Sequence, residues 1–375
     1  MADPERDAWA MGRAIALAAG GLGRVEPNPM VGAVLLKGGR LVAEGYHHRF
    51  GGPHAEVEVL QAAGAAARGA DLYVTLEPCC HWGKTPPCTD AILAAGIRRV
   101  VAAAEDPFPK VAGGGFARLR EAGLQVEVGL LRQEARRMNA AYFKRQETGL
   151  PLVIAKWAMT LDGRIATAAG ESRWISSDES RRRVHEIRRV VDAVLVGAGT
   201  VLKDSPELTV RHVAPLPERG QPARVVLDDR LAVPPASEPA RSARQVPVLV
   251  YTTAEAVSAK PQAAAALAEA GCIVAPVPPA AGGVAVRAVL EDLARRGMSR
   301  VLVEGGARVF GAFLAEGLVD RLMVFVSPRL LAGADALGPV AGPPGRALAE
   351  ALRVQDLSAS AVGPDVLLEG RLGTY

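Results

Sequence analysis

Cysteine is scarce in this sequence: four in 375 residues, at Cys79, Cys80, Cys88 and Cys272. Three of them share one ten-residue stretch. That clustering suits metal binding better than a disulfide framework. Long apolar runs are missing too, and no stretch approaches the roughly 20 residues of a membrane-crossing helix. Charge of one sign is also in short supply: 44 Lys and Arg against 40 Asp and Glu leave a net charge of +4. The clusters Arg181-Arg182-Arg183 and Arg188-Arg189 stand beside Asp178, Glu179 and Glu186, so charge gives no argument for nucleic-acid binding. The opening Met1-Ala-Asp-Pro-Glu-Arg-Asp is acidic where a signal peptide is basic, and no apolar segment follows it. A cytoplasmic protein is expected.

Hydrophobic residues make up 49% of the chain, enough to fill sizeable cores. The length exceeds what one core usually supports, so two domains are expected. Residues 5–20 read as an Ala-rich amphipathic helix. Val31–Leu36 and Arg40–Gly45 read as strands around a Lys37-Gly38-Gly39 turn. Pro53 is expected to open a helix running to about Ala63. Asp71–Leu76 and Arg99–Ala103 read as strands, Thr89–Ala95 as a helix, and residues up to Gly129 as a further helix-strand unit. This alternation implies an α/β layer with a largely parallel sheet. A boundary is expected near Glu147–Pro151. Beyond it, strands are expected at Leu152–Lys156, Val191–Val196, Arg224–Leu227, Val246–Tyr251, Cys272–Ala275, Arg300–Glu304 and Arg321–Val326. The stretches 214–222, 234–244 and 276–283 read as surface loops.

Three residues carry the clearest chemistry. His54, Cys79 and Cys88 can bind zinc through three protein ligands and leave the fourth position to water, as catalytic zinc sites do. Glu56, two residues from the histidine, is placed to move protons at that water. His-x-Glu followed by Pro-Cys is a signature of zinc nucleobase deaminases, although the usual Cys-x-x-Cys is here Cys79 and Cys88. Each element alone is an ordinary surface pair or buried thiol; the conjunction is not. Cys80 and His81 are rival ligands. Adjacent cysteines point different ways, which reads Cys80 as a packed thiol and His81 as a substrate-facing or structural group.

The second half offers two glycine-rich strand ends. Gly197-Ala-Gly199-Thr200 begins like a dinucleotide fingerprint, but Leu202 stands where the third glycine belongs. Glu304-Gly305-Gly306 reads as a strand, a tight turn and then a helix whose N-terminus suits a phosphate. Ser176 with Glu179 also reads as a capping box.

The motifs Asn28-Pro29-Met30-Val31-Gly32, His54-Ala-Glu-Val57 and Thr75–Cys88 resemble the bifunctional riboflavin-biosynthesis deaminase/reductase family. There the two cysteine ligands are spaced as Cys79 and Cys88 are, unlike the Cys-x-x-Cys of transfer-RNA adenosine deaminases. The family more often has serine where Cys80 stands. Lys156, Asp162-Gly-Arg164, Gly170–Ile175, Asp204-Ser-Pro206 and Glu304-Gly-Gly306 resemble its reductase half. The resemblance implies a cytidine-deaminase-like α/β/α domain at 1–148 and a dihydrofolate-reductase-like α/β domain at 149–375. It implies zinc-dependent removal of the 2-amino group of a diaminopyrimidinone ribosyl 5′-phosphate, then NADPH-dependent reduction of ribosyl to ribityl. Glu56 would be catalytic and His54, Cys79 and Cys88 would hold zinc. Asn28, Lys84 and Thr85 would bind the first substrate. Ala158, Trp174, Ser176, Thr200, Asp204, Gly305 and Gly306 would hold NADPH. Lys156, Ser172, Arg188, Leu208, Arg211 and Glu304 would bind the second substrate, with Arg188 and Arg211 on its phosphate and Glu304 on its sugar hydroxyls. Small-molecule substrates and a homo-oligomer, dimer or tetramer, are expected, with no membrane or nucleic-acid partner. Two rival readings are a deaminase with a non-catalytic second domain and a nucleic-acid-editing deaminase; the latter requires a basic face.

Overall fold

A computed structural model of the chain describes residues 3–333, 335–342 and 347–375. The chain separates into two compact units, Met1–Gly149 and Leu150–Tyr375.

In the first unit, helix α1 (Pro4–Ala18) starts behind Asp3, whose side chain accepts the Arg6 N–H, with proline in the first turn. Strands β1 (Gly32–Lys37) and β2 (Arg40–Tyr46) form a hairpin. Its tip, Gly38-Gly39, has positive φ at both residues, which glycine adopts without steric cost. Helix α2 (Ala55–Ala63), strand β3 (Asp71–Val74), helix α3 (Cys88–Ala95) and strand β4 (Arg99–Ala102) follow. Helix α4 (Gly114–Glu121), strand β5 (Gln125–Val128), and helices α5 (Arg132–Met138) and α6 (Ala140–Thr148) complete the unit.

The sheet runs β2-β1-β3-β4-β5, with β3, β4 and β5 parallel. β1 is antiparallel to both of its neighbours, so the sheet is mixed where a largely parallel one was expected. Alternate residues of β1 serve opposite faces. Ala33 and Leu35 pack with Val59 of α2, Ile92 of α3 and Phe116 of α4. Val34 and Leu36 pack with Met11 and Ala14 of α1 and Ala135 of α5. The result is a three-layer α/β/α unit. Gly32 is the point of closest approach: a Cβ there would lie 2.0 Å from the Ala14 carbonyl oxygen.

The second unit opens with β6 (Leu152–Thr160), α7 (Asp178–Arg188), β7 (Ala193–Gly197), α8 (Ala198–Asp204) and β8 (Ala223–Leu227). Next come α9 (Glu238–Arg241), β9 (Val248–Thr252), α10 (Ala254–Ala259), α11 (Pro261–Glu269) and β10 (Ile273–Pro276). A two-residue pair, β11 (Pro279–Ala280) and β12 (Gly283–Val284), precedes α12 (Val286–Arg295), β13 (Arg300–Gly305), α13 (Ala307–Ala315) and β14 (Arg321–Ser327). A hairpin of β15 (Gln355–Val362) and β16 (Asp365–Arg371) ends the chain. The sheet order is β10-β9-β8-β7-β13-β6-β14-β16-β15, parallel as far as β14 and antiparallel through β16 and β15.

Several local expectations shift. The helix expected to open at Pro53 starts at Ala55, because His54 is still extended (ψ 162°) and occupies the capping position. The cap expected at Ser176 lies one residue later, and with Ser180 rather than a glutamate three residues on it is a simple N-cap, not a capping box. Ser177 caps α7 by accepting the Ser180 N–H, and Asp365 of the terminal hairpin accepts the Ser177 N–H at 2.7 Å and the Ser180 hydroxyl at 2.6 Å. Short elements also occupy two stretches read as loops: α9 within 234–244, and β11 within 276–283. No helix among the described residues is long and apolar enough to cross a membrane.

Beneath the first sheet, Arg99 is buried with its guanidinium 2.6 Å from Asp7 and 2.7 Å from Glu127. Tyr73 donates its hydroxyl to the same Asp7 at 2.5 Å. Removing one partner of a buried pair leaves the other charge uncompensated. Arg99→Ala should therefore cost the N-terminal unit about 3–5 kcal/mol, read as an earlier urea midpoint for that unit.

Candidate active sites

In the first unit, two helix starts and one strand end converge. His54 caps α2, Cys88 is the first residue of α3, and Cys79 follows β3 by five residues. His54 Nδ1 stands 3.2 Å from Cys88 Sγ and 3.6 Å from Cys79 Sγ, and the Cys88 N–H donates to Cys79 Sγ at 3.3 Å. The three donor atoms lie within 4.8 Å of one another. A zinc tetrahedron built from bonds of about 2.0–2.3 Å has edges of roughly 3.5 Å. The donor set and its spacing therefore fit zinc.

The electrostatics fit as well. Hydrogen bonds from Cys88 and from His54 draw the Cys79 thiol down to about 4 against the opposing effect of burial. Cys88 moves the other way, because Cys79 accepts its proton and burial disfavours a second thiolate. Glu56 is only 3% exposed, and burial pushes it up to about 7, the range in which a carboxylate can both take and return a proton at neutral pH. Cys80 turns away, donating to the Lys110 carbonyl at 3.7 Å.

Of the proposed substrate residues of this unit, Asn28 is linked to the triad through His47. Asn28 lies in a segment that Asn139 pins by accepting the Met30 N–H and donating to the Met30 carbonyl. The Asn28 amide is 3.2 Å from His47 Nε2. His47, which motif reading passed over, is buried, edge-on to His54 at 5.2 Å, and 2.8 Å from the Pro53 carbonyl through Nδ1. A carbonyl can only accept, so Nδ1 carries the proton and Nε2 accepts from the Asn28 NH₂. That leaves the Asn28 oxygen as the acceptor for a ligand. Lys84 is exposed, its ammonium 4.0 Å above the Phe50 ring, and Thr85 is half-buried beside it.

In the second unit, the two glycine-rich ends are neighbours, because β7 and β13 pair in parallel. A Cβ on Gly305 would meet Thr200 Oγ1 at 3.3 Å, and Gly306 has φ +75°. A Cβ on Gly199 would meet nothing within 4 Å. Bare backbone facing open space next to a hydroxyl is a cradle suited to a dinucleotide phosphate. Trp174 is 59% exposed with the Arg181 guanidinium 4.4 Å from its ring. Arg173 donates to the Asp204 carbonyl and Arg181 to the Ser176 carbonyl, tying Asp204 and Ser176 to the Trp174 loop. Ala158 stands in β6 opposite Phe325, and Ser172 is half-buried two residues before Trp174.

Several of the expected substrate residues have partners of their own. Arg188 grips both oxygens of Glu304 through Nε and Nη2, at 2.5 and 2.8 Å, and donates Nη1 to the Thr209 carbonyl. Arg211 pairs with Glu207. Neither arginine stands as a bare cation awaiting phosphate, and both Glu304 oxygens already accept from Arg188. For the first pair the reason is burial: Arg188 and Glu304 are both largely enclosed, where an unpaired charge costs several kcal/mol; the Arg211–Glu207 pair is more exposed. Burial lowers the Lys156 ammonium, with Glu304 opposing that effect. Leu208 is buried with φ +57°. The Arg211 N–H donates to His185 Nδ1 at 3.1 Å. Burial, then Arg188 and Arg211, push His185 down to about 4, so this histidine is a neutral acceptor that no motif announced.

An α/β/α unit with a His-Cys-Cys triad and a buried glutamate defines a zinc deaminase fold. The family described as the cytidine and deoxycytidylate deaminase zinc-binding region matches residues 4–104, and the RibD C-terminal domain matches residues 151–368. The riboflavin biosynthesis protein RibD of Aquifex aeolicus is 42% identical over 95% of both chains, and that of Escherichia coli 40% identical over 97% of this chain and 98% of its own. Among solved structures, Acinetobacter baumannii RibD superposes with a TM-score of 0.86 at 35% identity, covering 99% of this chain and 100% of its own. A diaminohydroxyphosphoribosylaminopyrimidine deaminase/5-amino-6-(5-phosphoribosylamino)uracil reductase from Thermotoga maritima gives 0.83 at 37%, covering 99% of each chain. This chain belongs to the RibD family, the bifunctional deaminase/reductase of riboflavin biosynthesis. Zinc serves its deaminase and NADPH its reductase.

Metal analysis of two variants checks the ligand set. Cys88→Ala should lose zinc and Cys80→Ala should keep it; the reverse pattern would show that Cys80 is the ligand.

Proposed function

We propose that residues 1–148 deaminate 2,5-diamino-6-ribosylamino-4(3H)-pyrimidinone 5′-phosphate and that residues 149–375 then reduce its ribosyl group to ribityl with NADPH. The observation that carries the first step is the buried Glu56 beside the converging His54, Cys79 and Cys88. When bound, zinc supplies a water acidified towards a pKa of roughly 7. Glu56 takes the proton of the attacking water and returns it to the departing amine, which leaves as ammonia. The Asn28 oxygen accepts from the pyrimidine ring, and Lys84 with Thr85 meets the phosphate.

In the second step NADPH supplies a hydride to the sugar C1. Thr200 and the Gly305-Gly306 turn receive its phosphates, with Ala158, Trp174, Ser176 and Asp204 completing the contact. The Arg188–Glu304 pair acts as one unit. Its bidentate bond uses three N–H groups of Arg188 in all, counting Thr209, and leaves two for substrate. Lys156, lowered by burial beside Glu304, supports the sugar as it opens. Ser172, Leu208 and Arg211 line the same substrate. The chain's two family matches and its lack of a basic stripe favour this reading over a nucleic-acid-editing enzyme or an inert second domain.

We also assign the protein to the cytoplasm and to a homo-oligomer, dimer or tetramer. The support for association is β15, an edge strand exposed along nearly its whole length, a ready template for pairing with another chain. Light-scattering mass in solution should give two or four times the chain mass; a monomer at micromolar concentration ends that reading.

Incubation with the diaminopyrimidine phosphate should release ammonia without NADPH, and NADPH oxidation should follow when it is added. Glu56→Gln should lower ammonia release by roughly 10²–10⁴-fold while keeping zinc and the oxidation of NADPH by pre-deaminated substrate. No NADPH turnover by pure wild-type protein would sink the two-step reading.

A further inference from the structure

One buried carboxylate close to the zinc ligands has no part in the chemistry above. Glu77 is 4% exposed and stands two residues before Cys79. Its Oε1 accepts the N–H groups of Gly115 (2.9 Å) and Phe116 (3.2 Å). Its Oε2 accepts those of Gly113 (3.0 Å) and Asp106 (3.2 Å). Four main-chain donors thus converge on one side chain. Three of them are at the start of α4, whose own capping residue, Gly113, supplies no side-chain acceptor. Glu77 caps that helix from 36–39 residues away in sequence. A carboxylate at a helix N-terminus is favoured by the dipole and by charge-assisted hydrogen bonds.

The same junction is packed without slack. A Cβ on Gly115 would lie 2.1 Å from the Pro78 carbonyl oxygen, so the first turn of α4 rests directly on the residue between Glu77 and Cys79. Proline fixes φ there. The Glu77 N–H donates to the Ala104 carbonyl at 2.9 Å. Downstream, Cys80 meets Lys110, and the His81 ring faces Phe108 at 5.7 Å. Glu77, Pro78, Cys80 and His81, on both sides of Cys79, therefore each meet the 104–116 segment.

We propose that Glu77 is a positioning residue of the deaminase centre, locking the 104–116 loop and the Pro78-Cys79 turn into one body so that the Cys79 sulfur is held against His54 and Cys88. It touches neither substrate nor metal. Its removal frees four main-chain N–H groups at once, three of them buried, and lets Cys79 move with them. Partners that orient metal ligands typically contribute roughly 10–100-fold to metal affinity or activity.

The test uses the full-length zinc-loaded enzyme and two variants, Glu77→Ala and Glu77→Gln. Zinc release to a chromogenic chelator is followed beside ammonia release and beside reductase turnover on pre-deaminated substrate. Glu77→Ala should speed zinc release and lower ammonia release, each by roughly 10–100-fold, with reductase turnover within about twofold of wild type. Glu77→Gln keeps one carbonyl oxygen for two of the four donors and should fall between. Zinc release at the wild-type rate in both variants overturns the proposal, whatever happens to turnover. So does a Glu77→Gln variant in which reductase activity falls in step with zinc retention, since that reports general unfolding. The zinc measurement does not depend on which pyrimidine is the substrate, so its outcome is separate from that of the proposed reaction.

Discussion

A thiolate held inside a protein is stable only where hydrogen-bond donors or positive charge face it, and that requirement organises the N-terminal unit. Cys79 meets it through the Cys88 main-chain N–H, the Cys88 thiol and the His54 ring. Each of those groups is delivered by a helix start, α2 at His54 and α3 at Cys88. The strand that must end between them is β3, and it ends where β1 and β4 hold it on both sides. The rest of the unit follows from keeping those three ends in register. The two apolar faces of the sheet clamp the helices, Gly32 lets α1 close on β1, and the Asp7–Tyr73–Arg99 network fixes the opposite end of the same strands.

The C-terminal unit answers a different requirement, the burial of full charges. Lys156, Arg188 and Glu304 come from β6, α7 and β13, and β6 and β13 are adjacent parallel strands. Burial alone would raise Glu304, yet Arg188, with Lys156 assisting, holds it below its ordinary value. The carboxylate therefore stays charged in a largely enclosed place. A charged pair kept inside a protein at such a cost is weak evidence for stability and stronger evidence for a ligand that needs it. Left-handed backbone occurs at Leu208 and His212, on either side of Thr209, whose carbonyl accepts from Arg188, and strained residues of this kind cluster at ligand sites.

How legible all this was depends on whether a signal is local. The β1–β2 hairpin, α1 and the parallel strands carry their own periodicity or turn residues and could be read directly. The His54, Glu56, Cys79 and Cys88 set was readable because few structures put those residue types at that spacing. β15 was not read as a strand: Leu357, Ala359 and Ala361 alternate with Ser358 and Ser360, but two of the three are small alanines, and Gln355–Val362 is exposed on nearly every residue, so no core-facing side marks it. His47 and Glu77 were missed for a related reason, since their partners lie in distant segments or on the backbone. For Arg188 and Arg211 the sequence shows the charge but not the carboxylates, Glu304 and Glu207, that face them.

The broken dinucleotide fingerprint is the most instructive of these cases. In the full Gly-x-Gly-x-x-Gly motif the third glycine lets the helix pack closely on the strand. Here Leu202 takes that place and is 54% exposed, so its side chain meets no strand and nothing demands a glycine. Close packing is needed instead at Gly197, where a Cβ would come within 2.9 Å of Val309 on α13. The crowded neighbour is thus the helix that follows β13, not the one that follows β7. A phosphate cradle shared between two adjacent strand ends can do without the third glycine, because neither helix has to supply the whole binding surface. The departure from the motif is one that a two-ended cradle permits.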